Sequence, residues 1–196
     1  MTTGQPERIV IRDVAIIDAT GREPQGRGDV PVEGGRIKAM GSVGELAPGV
    51  AAVDGAGTTL LPGLADAHVH FALIGTKGDH GSDTWIRHVL AVAGFIERAL
   101  QEGFTTVRDA GGQEPAWAEA VGAGALSGPR ILPAGSALSQ TGGHADNRQR
   151  HEALHASQTV PGLVAGHAIV DGVDEVRRAA REQLRRGATQ IKLMAS

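Results

Sequence analysis

The fold is decided by the stretch Thr59-Leu60-Leu61-Pro62-Gly63-Leu64-Ala65-Asp66-Ala67-His68-Val69-His70. Its apolar run, with a Pro-Gly break, predicts a buried strand over residues 60–70. Because residues i and i+2 of a strand lie on the same side, His68 and His70 should project together where the strand ends. Two adjacent imidazoles are suited to hold a divalent metal ion such as zinc. The alternative interpretation is a pair of unrelated histidines at the surface or in the core.

The composition indicates a globular protein and excludes several kinds of function. Hydrophobic residues make up 41% of the 196 residues and charged residues 21%, so the chain can bury a core in one or two domains. The net charge of -3 and the 3% aromatic content give no case for binding nucleic acid or an anionic membrane. Without cysteine there is no disulfide, thiolate metal site or cysteine nucleophile. With no signal-peptide pattern and no run of about 18 apolar residues, we expect a cytoplasmic protein.

Residues 1–62 have short β-rich runs separated by turns, and they predict a small β-sandwich without helices. The strongest local signal is the pair of runs at 29–33 and 36–40, which Gly34-Gly35 separates. A Gly-Gly pair between two β-rich runs is typical of a hairpin. We therefore assign residues 1–62 to an N-terminal β-sandwich.

From residue 63 the pattern changes to alternating strands and helices, which indicates an α/β fold with a parallel sheet. Four such units make half of a (β/α)8 TIM barrel, which has about 250 residues when complete. The predicted fold of residues 63–196 is therefore the first half of a barrel that stops after its fourth strand. The predicted strands are 60–70, 104–109, 130–135 and 188–194; the helices are 83–102 (N-cap Ser82 or Asp83), 114–123 and 172–186 (N-cap Asp171, terminator Gly187); a long connection covers 137–170.

Polar residues follow each predicted strand, at the end where active sites form in this kind of barrel. The first strand ends in the histidine pair, and the second ends in Arg108 and Asp109. The third leads to the segment Thr141-Gly142-Gly143-His144-Ala145-Asp146, and the fourth carries Lys192. These positions predict a functional site at one rim of the sheet.

Lys192 is unusual because it lies between Ile191 and Leu193 inside an apolar strand. Burial disfavours a charged, unpaired amine. A neutral amine can react with carbon dioxide to give a carbamate, whose two oxygens could bridge two metal ions. The alternative is a structural lysine that pairs with a carboxylate or extends to solvent.

The motifs of this chain, taken in order, resemble those of the amidohydrolase superfamily over nearly the whole sequence. Residues 35–41 resemble the hairpin of its N-terminal β-sandwich, to which C-terminal strands add to make a composite domain. Residues 141–144 and 191–194 resemble the imidazolonepropionase-related branch, which includes Xaa-Pro, Xaa-Arg and Xaa-Lys dipeptidases. The matching segments are 60–70, Gly103-Phe104-Thr105-Thr106-Val107-Arg108-Asp109-Ala110-Gly111-Gly112, Gly128-Pro129-Arg130-Ile131, 141–146 and Gln190-Ile191-Lys192-Leu193-Met194-Ala195-Ser196.

The resemblance implies a site with two metal ions, expected to be zinc. His68 and His70 would bind the more buried ion, and Lys192, as a carbamate formed with CO2, would bridge both. Water activated by the metals would attack an amide carbonyl of the substrate. His144 would contact the carbonyl or carboxylate of the substrate; the alternative is a loop histidine with a structural hydrogen bond.

Other polar residues carry weaker predictions. Arg108 and Asp109 could face the substrate or form a structural ion pair at the rim. The remaining histidines are each interpreted as solvated; they are His80, His88, His151, His155 and His167.

The family also needs two histidines and a general-base aspartate on later strands of the barrel, and residues 1–196 contain no such strands. No catalytic residue is therefore assigned within the chain, and we expect these 196 residues alone to be inactive. The predicted function is that of a metal-dependent amidohydrolase, here an N-terminal part, which cleaves an amide bond in a dipeptide-like, N-acyl amino acid or cyclic substrate. The rival is a non-catalytic piece or assembly partner that binds metal weakly. We expect a homo-oligomer or a complementary C-terminal half as partner, because open sheet edges are exposed.

Overall fold

The computed structural model describes residues 8–23, 26–45, 48–73, 85–146, 148–151 and 166–195. The chain divides into two compact units, Met1–Pro62 and Gly63–Ser196. Strands make up the regular structure of the described part of the first unit, whereas the second combines strands with helices, so the fold is α/β. Among the helices that the structure describes, none has both the length and the apolar character needed to cross a membrane.

The described part of the first unit is one mixed sheet of five strands. Its strands are β1 (Arg8–Ile16), β2 (Arg27–Glu33), β3 (Arg36–Ile37), β4 (Ala51–Asp54) and β5 (Thr59–Leu60). Strand β1 pairs antiparallel with β2 and parallel with β4 and β5. Val14, Ile16 and Val30 are buried and form the core of this unit. Where the sequence predicts a sandwich, the described residues show a single sheet.

The hairpin predicted at Gly34-Gly35 is confirmed. Strands β2 and β3 pair antiparallel, with Val32 opposite Ile37. Gly34 and Gly35 have φ values of 56° and 71°. Positive φ at both central residues is the geometry that a two-residue hairpin favours, and glycine adopts it without a steric penalty.

The second unit is built on a parallel sheet in the order β6-β7-β8. The strands are β6 (Leu64–Val69), β7 (Phe104–Asp109) and β8 (Arg130–Leu132), and the helices are α1 (Trp85–Gln101), α2 (Ala116–Gly122) and α3 (Gly172–Arg185), with a short 3-10 turn at Phe71–Leu73. Val92 and Ile96 of α1 are fully buried and pack with Val107 of β7 and Ile131 of β8. This core fixes the sheet, whose strand ends carry the polar residues.

The first predicted strand is split in two, because β5 ends at Leu60 and β6 begins at Leu64. Pro62 has no backbone N–H to donate to a sheet. At Gly63 an added Cβ would lie 2.1 Å from the side-chain oxygen of Thr105, so only glycine fits there. The strand predicted at 104–109 is confirmed in full.

The connection predicted over 137–170 contains two short strands, β9 (Ala137–Ser139) and β10 (His167–Ile169), which pair in parallel. They were missed because three-residue strands are too short to show a periodic pattern.

The fourth strand, predicted over 188–194, is reduced to a bridge between Leu138 and Leu193. The Leu138 N–H donates to the Lys192 carbonyl, and the Met194 N–H donates to the Leu138 carbonyl, both at 2.9 Å. The neighbouring strands β8 and β9 are separated from each other between Leu132 and Ala137. In this interval Pro133 lacks an N–H and Gly135 has a φ of 69°. A regular ladder therefore cannot form along this edge.

The three helices form close to their predicted positions. Gly103 ends α1 and Gly187 ends α3, with φ values of 95° and 101°. Helix α2 begins at Ala116, two residues later than predicted, after Pro115 at its N-cap. Asp171 occupies the N-cap of α3 as predicted, although its side chain makes no capping hydrogen bond. The N-caps predicted for the first helix, Ser82 and Asp83, lie outside the described residues.

Candidate functional site

The histidine pair converges as the sequence predicts. The Nε2 atoms of His68 and His70 lie 3.2 Å apart, and the two rings meet edge to face with their centres 5.1 Å apart. Val69 between them pairs with Asp109 on the neighbouring strand and packs against the apolar core. Two ring nitrogens are therefore directed at one point on the polar side of the sheet.

The Gly111 carbonyl orients the His70 ring so that Nε2 is directed toward His68. The His70 Nδ1–H donates to the Gly111 carbonyl at 2.8 Å. A carbonyl oxygen only accepts, so Nδ1 carries a proton, and in the neutral imidazole the lone pair lies on Nε2. This is the arrangement by which proteins orient histidine ligands of metals.

Gly111 brings His70 and Lys192 together. Gly111 has a φ of 120°, and a Cβ built on it would lie 3.3 Å from the Ala137 Cβ and 3.6 Å from the Lys192 Cγ. The carbon stem of Lys192 therefore lies beside the residue whose carbonyl orients His70. Lys192 is half-buried.

Asp109 is fully buried and supports this loop from beneath. Its carboxylate accepts the N–H groups of Gly111 at 2.9 Å and Phe71 at 3.2 Å, one on each oxygen. Burial raises the pKa of Asp109 to about 6, against the lowering effect of these backbone N–H groups and of His70. Asp109 thus holds the two peptides that flank the histidine site and does not face a substrate.

The side chain of Gln190 ties the last segment to the sheet. Its Nε2 donates to the Asp109 carbonyl at 3.1 Å and to the Leu132 carbonyl at 2.8 Å. The side chain thus replaces backbone pairing that the interrupted strand cannot supply. It fixes the position of the chain two residues before Lys192.

The loop that carries His144 is held by two carboxylates. Asp171 accepts the Thr141 N–H at 3.0 Å and its hydroxyl at 2.6 Å, and these bonds lower the pKa of Asp171. Asp146 accepts the Gly142 N–H at 2.8 Å and is paired with the Arg148 guanidinium, which holds the pKa of this carboxyl well below its usual range. His144 itself is exposed at the tip of this fixed loop.

His167 is a residue that sequence reasoning missed. The sequence predicts a solvated side chain, whereas His167 lies in β10 and is half-buried. Burial lowers its pKa, and the charges of His70 and His144 lower it further, so three imidazoles share one region. Its placement follows from the pairing of β10 with β9, which no local pattern in the sequence signals.

Arg108 has a structural role that differs from both sequence interpretations. Its Nε–H donates to the Ala67 carbonyl at 2.7 Å, so it secures the strand before His68. Of the remaining histidines, His88 is half-buried on α1, which corrects its interpretation as solvated, and His151 is exposed. His80 and His155 lie outside the described residues.

The described residues supply only part of a metal site. Within them, no group of three or more His, Asp or Glu side chains is placed to hold a metal ion. The two convergent imidazoles bring two ring nitrogens to one point, and nitrogen ligands of this kind suit zinc. A complete metal site would need ligands in addition to this pair.

The chain matches the amidohydrolase family over residues 59–196. Ochratoxinase from Aspergillus niger is 39% identical over 155 residues, which cover 70% of this chain and 31% of that protein. A crystal structure of a prolidase complexed with N-methylphosphonate-L-proline has a TM-score of 0.82 at 35% identity, over 96% of this chain and 47% of that one. The crystal structure of a Xaa-Pro dipeptidase with bound methionine has a TM-score of 0.75 at 27% identity. The match covers 95% of this chain and 46% of that one. The chain thus spans about half or less of the length of these relatives, and the resemblance stated from its motifs is confirmed.

Proposed function

This chain belongs to the amidohydrolase family, and on that premise we propose that it supplies part of the active site of a metal-dependent hydrolase of amide C–N bonds. The observation that carries the proposal is the convergence of the His68 and His70 Nε2 atoms, with His70 oriented by Gly111. A divalent metal held there would lower the pKa of water and polarise the carbonyl of the scissile amide.

The proposed architecture is a half-barrel of four strand–helix units in residues 63–196, preceded by part of a β-sandwich in residues 1–62. Support comes from the parallel order β6-β7-β8 and from helices that follow β6 and β7. The parallel bridge from Leu138 to Leu193 is consistent with a further strand at the same edge. In such a barrel, the strand ends that carry the histidines form the rim where chemistry occurs.

Lys192 is proposed to complete the site as a carbamate. Its stem lies beside Gly111, next to the carbonyl that orients His70. An ammonium at this position would repel a cation, whereas a carbamate would supply anionic oxygen ligands. His68, His70 and the modified Lys192 would together offer nitrogen and oxygen ligands, a set that suits zinc.

The proposed substrate is small and contains an amide bond: a dipeptide, an N-acyl amino acid or a cyclic amide. His144 would contact its carbonyl or carboxylate, since it stands exposed on a loop that Asp171 and Asp146 hold in place. The names of the relatives, ochratoxinase and prolidase, are in keeping with a hydrolase of small molecules. The general base and further ligands are proposed to come from outside residues 1–196.

The alternative proposal, an assembly partner without activity of its own, is favoured by exposed apolar side chains. Ile86 and Leu90 on α1 are 71% and 66% exposed, and Leu193 beside the site is 59% exposed. Apolar surface of this extent is typical of a face that another segment or chain covers. A second copy of this chain or a complementary C-terminal half would cover this surface.

The test of the proposed function is a zinc titration of wild type and His70→Ala, with stoichiometry measured by mass spectrometry of the metal. The protein is the full product of the reading frame that encodes this chain. We expect removal of the ligand to weaken zinc binding by about 100-fold or more. His151→Ala, which alters an exposed histidine, should bind zinc like wild type. Equal zinc binding in wild type and His70→Ala would overturn the proposal.

A second measurement separates the two candidate functions. The wild-type product of the reading frame should hydrolyse N-acyl amino acids when loaded with zinc, whereas residues 1–196 alone should not. Metal binding without turnover by the full product would favour the assembly partner.

A further inference from the structure

We propose that His167 is a second substrate-binding residue of this site, which with His144 binds a carboxylate of the substrate. The inference rests on the proposed function, because it names the chemical class that the same site selects. It assigns a role to a residue that neither the motifs nor the metal site accounts for.

The register of β9 and β10 fixes the direction in which His167 points. His167 pairs with Ala137 and Ile169 with Ser139 in parallel. Paired residues on neighbouring strands project to the same face of a sheet. His167 therefore shares the face of Ala137.

That face is the one that lines the candidate site. The Ala137 Cβ lies against Gly111, whose carbonyl orients His70 and which also borders the stem of Lys192. Two residues further along the same face, the Ser139 hydroxyl oxygen accepts the Ala145 N–H at 3.3 Å. The face thus extends from the histidine pair to the loop of His144, and His167 lies along it.

Electrostatic coupling supports this placement. The charges of both His70 and His144 act on His167 and lower its pKa, in addition to burial. A negative group placed among the three imidazoles would therefore interact favourably with them.

The acidic side chains near these imidazoles are already engaged with other groups. Asp109 holds the backbone of Gly111, Asp171 holds Thr141, and Asp146 holds Arg148. No described residue is hydrogen bonded to the imidazole of His144 or His167. Each imidazole carries at least one ring N–H that can donate to an anion, and a carboxylate accepts two donors on its two oxygens.

The two hydrogen bonds from Thr141 to the Asp171 carboxylate, here called the clasp, fix His144 and His167 relative to each other. Asp171 follows β10 and Thr141 follows β9, so the clasp continues the pairing of the two strands. It holds the loop of His144 and the strand of His167 in one arrangement. A carboxylate bound between them would be held at a set distance from the metal site, as the free end of an N-acyl amino acid requires.

The experiment compares two probes in which a phosphonate replaces the scissile carbonyl, so that neither is cleaved there: N-methylphosphonate-L-proline, which occupies the related prolidase structure, and its carboxamide. Their affinities are measured by calorimetry on the zinc-loaded product of the full reading frame. We expect His167→Gln to weaken binding of the carboxylate probe by about tenfold and to leave the amide probe within about twofold, since the lost bond is to a charged group. Zinc stoichiometry should not change. His151→Gln is the matched control and should change neither affinity.

Three outcomes would overturn the inference. One is a wild type that does not prefer the carboxylate probe; another is an equal loss for both probes in His167→Gln; the third is loss of zinc from that variant, which would make His167 a metal ligand. Failure of the proposed function is distinguishable, because it is a wild type without zinc binding.

A measurement on the wild type guards against misfolding of the variant. The imidazole carbon–proton resonances of the histidines are followed while the carboxylate probe is added. The His167 and His144 resonances should shift together with the same dissociation constant, and that of His151 should not. A His167 resonance that stays fixed at saturation would refute the contact.

Discussion

Asp171 stands at the N-cap of helix α3, yet both of its carboxylate oxygens go to Thr141, thirty residues away, at 2.6 and 3.0 Å. The backbone N–H of Asp171 is taken up instead by Glu175 at 2.8 Å. The helix thus gives up a side-chain cap, and the loop that carries His144 gains an anchor. The start of α3 and the candidate substrate loop are consequently one structural element.

The first prediction concerns this anchor. Asp171→Ala should increase amide hydrogen exchange at Gly142 and Gly143 by about tenfold, because the loop loses the two bonds at its base. Asp174→Ala is the control: its side chain is 94% exposed in the same helical turn, and its carboxylate pairs with Arg177. Equal exchange in the loop for both variants would show that the anchor does not hold it.

The second prediction concerns Gly111. Gly111→Ala should destabilise the fold by about 1–3 kcal/mol and also weaken zinc binding, since a φ of 120° disfavours alanine and the new methyl would press on Ala137. Gly124→Ala separates the two effects, because Gly124 also has a positive φ, 71°, but open space around its Cβ position. Urea unfolding and zinc titration are the measurements. Unchanged zinc affinity in Gly111→Ala would contradict the orienting role of its carbonyl.

The third prediction concerns Lys192 in the full product of the reading frame. Lys192→Ala should lose both metal and activity, and short carboxylic acids should restore part of each by standing in for the carbamate. Lys192→Arg should not work, because a guanidinium stays cationic. Lys38→Ala, in the first unit, is the control. Two metals per chain and normal rates in both Lys192 variants would leave Lys192 as a structural lysine.

The fourth prediction concerns pH. The pKa of Asp109 is raised to about 6 from 3.8, so the folded state holds this proton more tightly than the unfolded state. Its contribution to stability is therefore greatest below pH 3.8 and is lost as the pH rises through about 6. In the metal-free chain the Asp109 carboxyl carbon should titrate near pH 6 by NMR, and zinc should lower the midpoint because a nearby cation favours the carboxylate.

Asp171 provides the reference for that titration, since its bonds to Thr141 lower its pKa. Its carboxyl should titrate below the usual range in the same spectra. An Asp109 midpoint at the ordinary value of 3.8 would refute the effect of burial.

Long periodic segments and glycine positions made much of the second unit predictable from sequence. The N-cap Asp171 and the terminator Gly187 bounded α3 to within one residue, and the strand predicted at 104–109 has the bounds of β7. The spacing of His68 and His70 sufficed to predict their convergence, because a strand has only two faces.

The features that were missed depend on pairing between segments far apart in sequence. Strands β9 and β10 hold each other over three residues each, and neither has a pattern of its own. The position of His167 follows from that pairing, so nothing local to residue 167 announces it. The role of Asp109 could not be predicted for a related reason. Its carboxylate accepts backbone N–H groups, and a sequence motif of side chains does not show such bonds.

Gly63 has a consequence for protein engineering. It is the first residue of the second unit, and the space where a side chain would stand is filled by Thr105 of β7. A chimera that joins a foreign N-terminal unit to the second unit should therefore be joined before Gly63, so that the glycine stays with its own sheet. A junction placed one residue later would bring in a foreign side chain, unless the donor also has glycine there, and would push the strand of the histidine pair out of register.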